Sequence, residues 1–262
     1  MDKNRAGFSL VEVMLVLSIV FVLFVAMVGM VQESINRQRY KDAVVSLKDF
    51  FQRQYNEVQN VTLDTGVQSV HSSCDNSAVR GINRGRTNCY VIGRLINLQI
   101  EDGASVLKVD QVVYQADETS EHHNSLVFND FNLKEANIMA ANFQTYGTEV
   151  DKYPVEWGGR LHLPGSPSSE ILNNVSIFIF RSPETGSVRT HILPTGSANP
   201  TNLKNILNDS TLNNNLEMCV EAESGSVLKK RAVRIAGGSS NASGVEIPPH
   251  GNNKAKGEVN CD

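Results

Sequence analysis

The spacing of apolar and polar positions changes from block to block along this chain. From Val13 to Val31, nineteen consecutive residues carry no charge, and nearly all are large and apolar. A run of about 20 such residues is what a membrane-spanning helix requires. One carboxylate, Glu12, stands at its leading edge. A carboxylate near a membrane core costs about 2.5–3.5 kcal/mol, so its presence calls for a partner. Between Gly29 and Gly66 there is neither Gly nor Pro, and Tyr40, Val44, Leu47, Phe51, Tyr55 and Val58 recur in steps of three and four. That spacing forms one helical stripe. Gln38, Arg39, Lys41, Asp42, Lys48, Asp49 and Arg53 lie mostly off it, so the apolar helix is predicted to continue as an amphipathic one to about Gln59.

Past Gly66 the period becomes that of strands. Cys89 to Ile96 and Ser105 to Gln115 read as strands around a Glu101-Asp102-Gly103 turn. Val175 to Arg181 and Ser187 to Leu193 flank Ser182-Pro183-Glu184-Thr185-Gly186, a second hairpin turn. Leu216 to Glu221 and Val227 to Ile235 form a last pair around Ser224-Gly225. Phe131 to Gln144 has helical spacing through Leu133, Ile138 and Phe143, and Leu203 to Leu207 suggests a short helix. The expected architecture is α+β: a long N-terminal helix packed on a mainly antiparallel β head. The segment from Gly237 onward is rich in Gly, Ser, Asn and Pro, and composition alone would leave it disordered.

The full chain has 262 residues and a net charge of −4. Without the leader and membrane segment, the remainder is long enough for one domain with a real core. The leader carries Asp2 against Lys3 and Arg5, a net +1, so its loss takes the chain from −4 to −5. That balance argues against a surface that binds nucleic acid globally. The cysteines are Cys74, Cys89, Cys219 and Cys261. An even count in a domain outside the cytoplasm reads as two disulfides with three possible connectivities, of which the local pairs Cys74–Cys89 and Cys219–Cys261 are preferred. A Cys219–Cys261 bridge would staple the tail back onto a strand.

The sequence Lys3-Asn4-Arg5-Ala6-Gly7-Phe8-Ser9-Leu10-Val11-Glu12, followed by the apolar run, resembles the processing signal of type IV pilins and the related pseudopilins. The resemblance implies cleavage after Gly7 by a prepilin peptidase, N-methylation of Phe8 and a role for Glu12 in assembly. It also implies the α+β fold, while many members carry a proline in the apolar segment where this chain has Gly29. A disulfide-bounded C-terminal loop is common among pilins. The resemblance covers roughly the first 60 residues. A secretory signal peptide fits less well, because its apolar stretch is only about 7–15 residues and ends in a small-x-small exit. An uncleaved anchor explains the length but not Gly7-Phe8 or Glu12. A stalk or coiled coil would explain the long helix but not the leader.

The expected organisation is therefore a leader over 1–7, a membrane half-helix over 8–31 and an amphipathic half-helix over 32–61. An extracytoplasmic head follows over 62–236 and a stapled tail over 237–262. The expected role is a type IV pilin-like structural subunit, with a minor pilin favoured by the large, loop-rich head. Its partners would be the peptidase, other pilin subunits, the pilus assembly platform and the cytoplasmic membrane, before it enters a surface filament. The alternatives are a pseudopilin of a type II secretion system, or an anchored adhesin or DNA-binding module. Arg80, Arg84 and Arg86, between Cys74 and Cys89, suit DNA or an anionic glycan, although a solvated loop is the plainer reading. Lys229-Lys230-Arg231 reads as an exposed face or as protection of a strand edge.

No Gly-rich phosphate loop, H-E-x-x-H or G-x-S-x-G is present, so neither an enzyme nor a cofactor is expected. Nor is a metal: His122-His123 beside Glu121 share neither a helix face nor a strand face, and Cys74 near His71 is better used in a disulfide.

Overall fold

The computed structural model describes residues 9–60, 89–115, 137–141, 151–166, 172–173, 175–181, 186–193, 215–221 and 230–261. One helix, α1 (Leu10–Asn60), opens the fold. The chain divides into two compact units, Met1–Asp42 and Ala43–Asp262. In the first unit the Ser9 carbonyl accepts hydrogen bonds from the amides of Glu12 (3.0 Å) and Val13 (3.2 Å), closing the first turn. The helix runs unbroken through Gly29, where an added Cβ would meet nothing within 4 Å. Gly29 is thus a helix position without steric need of glycine, which weakens the helix there by about 1 kcal/mol relative to Ala.

In the second unit, α1 buries Ala43, Val44, Leu47, Phe50, Phe51, Tyr55 and Val58. The head holds β1 (Cys89–Glu101), β2 (Ala104–Gln115), β3 (Asn137–Ala141), β4 (Asp151–Pro154) and β5 (Arg160–His162). Then come β6 (Val175–Arg181), β7 (Val188–Leu193), β8 (Leu216–Glu221), β9 (Arg231–Ile235) and β10 (Val245–Glu246). Every strand pair is antiparallel. The first sheet runs β3-β2-β1-β6-β7, and β4 also pairs with β2; the second runs β10-β9-β8-β5. The β1–β2 turn puts Asp102 at φ 51° and Gly103 at φ 79°, the left-handed pair that a tight hairpin demands. At Gly93, beside a register shift between β1 and β2, a Cβ would lie 2.3 Å from the Ile179 carbonyl, so only glycine fits.

Alternation along β1 sorts the first sheet into two faces. Arg94, Ile96 and Leu98 lie opposite Ile179, Ile177 and Val175. Three polar contacts tie this face and its neighbours to the helix. Arg94 reaches Glu57 (2.8 Å) and the Gln54 side-chain amide oxygen (3.1 Å). The Tyr55 hydroxyl donates to Thr190, which donates to the Ser239 carbonyl at 3.1 Å. Tyr153 stacks on Phe50 with centroids 4.4 Å apart, and its hydroxyl lies 2.7 Å from Ser46, which donates to Glu156 at 2.8 Å. On the other face Leu95 and Asn97 lie opposite Phe178 and Ser176, and all four are buried too. Burial of both faces explains why β6, apart from Ser176, reads as an apolar run up to Phe180 rather than an alternating one.

One sequence expectation needs correction. Residues 137–141 form a strand, not part of a helix, because they complete the edge of β2 by pairing with residues 111–115. Backbone pairing along that edge outweighs a weak helical spacing. The rest of the expected helix, and the one at Leu203–Leu207, fall outside the described residues. The C-terminal segment is ordered across 237–261, as the expected Cys219–Cys261 staple implied and composition alone did not. Val245 pairs with Ile235, Gly238 donates to the Thr190 carbonyl of β7 (2.9 Å), and Val245, Val259 and Cys261 are buried. Arg234 holds Glu217, Glu246 and the Gly257 carbonyl, each at 2.8 Å. β9 lies between β8 and β10, but β10 pairs with it at Arg234 and Ile235, and Arg231 at its start is exposed, while Lys230 pairs with Glu221 at 3.2 Å. Lys229 falls outside the described residues.

Two stability predictions follow from the buried polar groups. Glu57→Ala leaves Arg94 in a nearly dry site without its carboxylate. Loss of one partner of a buried pair costs about 3–5 kcal/mol, reduced here to about 2–3 because Glu57 keeps 27% of its side-chain surface exposed. Arg94→Met removes the cation and keeps its apolar stem, so it should cost about 1 kcal/mol. Urea denaturation that ranks Arg94→Met as the worse variant contradicts this.

Burial pushes the Asp110 carboxyl up to about 6, against the lowering effects of the Asn97 amide (3.4 Å) and nearby Lys108. Below the unfolded value of about 4, both states hold the proton and Asp110 carries no penalty. Between about 4 and 6 only the folded state holds it, so stability falls as pH rises through that window. Asp110→Asn should therefore stabilise the protein by about 1–2 kcal/mol near neutral pH, the shift being discounted for partial exposure, and by nothing near pH ~4. Equal effects at both pH values would contradict the burial argument.

Candidate functional site

The membrane-type segment is built by the simplest local rules. Every large apolar side chain from Leu10 to Val31 is at least 46% exposed within the unit that carries it. A helix apolar on every side has no single face to turn to a soluble core and belongs in a lipid or helical environment. The 22 residues from Leu10 to Val31 rise about 33 Å, matching a hydrocarbon core of about 30 Å. Backbone groups are satisfied inside the helix, as hydrocarbon demands. The Ser18 hydroxyl donates to the Leu15 carbonyl at 2.8 Å, so this side chain also finds its partner within the helix. Charge returns immediately beyond, with Glu33 paired to Arg37 and the Gln38 amide donating to Asp42 at 2.8 Å, each one helical turn apart. These pairs mark the polar boundary.

Glu12 lies in the first turn of α1, where the positive end of the helix dipole favours a carboxylate. Apolar residues surround it along the chain: Leu10 and Val11 before, Val13 and Met14 after. Gly7 and Phe8 lie outside the described residues, as do Cys74 and the Arg80, Arg84 and Arg86 cluster. The side chain of Cys89, the first residue of β1, falls outside them too. Cys219 and Cys261 are joined, with Cα atoms 5.6 Å apart and a sequence separation of 42. Among the described residues, no three of His, Cys, Asp and Glu converge as a metal site would require.

Sequence reasoning missed the polar contacts between the lower part of α1 and the sheet. Arg94 carried a signal: it is the one charged residue within the strand-like run from Cys89 to Ile96. A charge within such a run implies a buried partner. Tyr55 and Thr190 carried none, because a Tyr on an apolar stripe and a Thr in a strand are both ordinary.

No curated protein and no solved structure matches this chain. Residues 2–28 match the family model for the prokaryotic N-terminal methylation motif, and the chain thus carries the type IV prepilin-like signature at its start.

Proposed function

We propose that this protein is a type IV pilin-like structural subunit, a minor pilin, made as a membrane precursor and then drawn into a helical surface filament. The observation that carries the reading is the methylation motif over 2–28 running directly into a helix exposed and apolar on every side. The precursor sits in the cytoplasmic membrane as a single span with the head outside. A prepilin peptidase cuts after Gly7, and Phe8 becomes the N-methylated first residue. The assembly platform then delivers the subunit to a filament whose core is built from helices over 8–31. The protein is the substrate of one enzyme and a building unit, and performs no catalysis of its own.

Glu12 supplies the assembly logic. Alone in the membrane, its carboxylate costs about 2.5–3.5 kcal/mol. The amine freed at Phe8 of a neighbouring subunit carries the opposite charge and a similar penalty. Packed in the right stagger, the two satisfy each other in a site too dry to tolerate either alone. Apolar contact cannot set that stagger, because lipid tails satisfy the helix equally well.

Gly7→Val should block cleavage and leave the precursor in the membrane. Mass spectrometry of the mature wild-type protein should find Phe8 first, and a mature chain that still begins at Met1 would overturn the processing reading. Glu12→Val should insert and be cleaved normally, yet fall about tenfold or more in sheared filaments relative to membranes, with Glu12→Asp intermediate. Wild-type incorporation of Glu12→Val would rule out charge pairing as the source of register.

A further inference from the structure

In the second sheet His162 of β5 stands directly opposite Cys219 of β8. Directly opposed residues of an antiparallel pair share a face, with Cβ atoms about 4.5–5.5 Å apart. His162 is 1% exposed, Cys219 0% and Cys261 2%, so ring and disulfide share a dry environment. The Nδ1 of His162 lies 3.1 Å from the Leu163 carbonyl. A carbonyl only accepts, so Nδ1 carries the ring proton and Nε2 presents a lone pair. That Nε2 is buried and has no hydrogen-bond partner among the described residues.

A buried acceptor without a donor is destabilising. The oxidised cysteine pair cannot relieve it, because a disulfide has no hydrogen to give. The reduced pair can: the Cys219 thiol is a donor on the same face of the adjacent strand. One bond change thus decides whether Nε2 is partnered. The placement does not depend on the disulfide, since β5 and β8 also pair at Arg160–Glu221 and Leu161–Val220. Ser105 accepts from the Leu161 amide (2.9 Å) and holds β5 from the other side.

We propose that His162 is the proton acceptor for the Cys219 thiol when the Cys219–Cys261 bond is made by thiol–disulfide exchange. Nε2 takes the thiol proton, and the Cys219 thiolate attacks one sulfur of a carrier disulfide, expelling the other as a thiolate. Cys261, brought in on the tail, loses its proton to solvent and attacks the Cys219 sulfur, and the carrier's remaining thiolate leaves. Nε2 passes its proton to the first expelled thiolate and solvent protonates the second, so two thiols are oxidised, the carrier disulfide is reduced to two thiols, and both protons end on the carrier. The oxidant is any accessible disulfide, whether a small molecule or a protein oxidoreductase. The same residue that speeds closure also weakens the finished bond, because closure strands Nε2.

The test uses the reduced full chain in detergent, with oxidised and reduced glutathione as the probe. Alkylation and mass spectrometry of the peptides holding Cys219 and Cys261 report the state of this pair alone. His162→Leu removes both ring nitrogens, and His162→Asn keeps a donor for the Leu163 carbonyl but no base. Both variants should close about tenfold more slowly, yet at equilibrium favour the disulfide about tenfold more, which is about 30 mV toward the reducing side. A residue that merely supported the fold would not slow closure while strengthening the product. A closure rate equal to wild type, or a disulfide weaker than wild type, overturns the proposal. If His162→Leu fails to fold, the same two readings on His162→Asn decide.

Discussion

A helix that is apolar on every side imposes the constraint on which this chain depends. It cannot be stabilised by turning one face inward, so its surroundings must be apolar all round. A bilayer meets that requirement, and so does a bundle of like helices. The two environments differ little in apolar contact, which leaves the free energy of transfer between them to the few polar groups present. In Leu10 to Val31 those groups are Ser18, which is satisfied within the helix, and Glu12, whose neighbours along the chain from Leu10 to Met14 are apolar. A single carboxylate therefore has leverage here that it would lack on a water-facing helix.

The second unit solves a different problem with the same secondary structure. There α1 has one buried stripe, and burial of Leu47, Phe51 and Tyr55 supplies the driving force. Apolar contact is tolerant of small rotations and slides. The Arg94–Glu57 pair, the Tyr55–Thr190–Ser239 relay and the Ser46–Tyr153 contact are not, because each would leave a buried or half-buried polar group unpaired if the helix slipped by a turn. Stripe and polar contacts thus divide the work between affinity and register. In the assembly proposed above, Glu12 would play the same part, with lipid equalising the apolar term and charge setting the stagger.

How much was legible in the sequence follows from where each signal resides. The long helix, the β1–β2 hairpin with its Asp102-Gly103 turn, and the β6–β7 and β8–β9 pairs were readable because periodicity and turn residues are local. β3, β4 and β5 were not. They are three to five residues long, and pairing with β2 or β8 makes them strands. The polar contacts were invisible for a related reason: a residue's partner lies 37 to 135 positions away in the chain, as for Arg94 with Glu57 and Tyr55 with Thr190. At the start of the chain the methylation motif was legible because its meaning rests on consecutive residues.

The C-terminal segment shows why composition alone is a poor guide to order. Too few apolar residues lie past Gly237 to offset the entropy of fixing them, so on burial alone the segment would be loose. The Cys219–Cys261 closure restricts the unfolded chain instead, by about 4 kcal/mol for a loop of 42 residues in the chain-entropy account. Arg234 adds a carboxylate, Glu246, and the Gly257 carbonyl from the same segment, and Gln52 and Gln59 of α1 donate to backbone carbonyls within it. None of these contacts requires a greasy sequence, so a polar tail can be ordered provided its far end is tied. The order is then conditional: it rests on a bond that can be made or broken, in a segment that also caps the outer edge of β7 through Gly238 and Thr190. Fastening the tail and finishing the sheet are consequently one event.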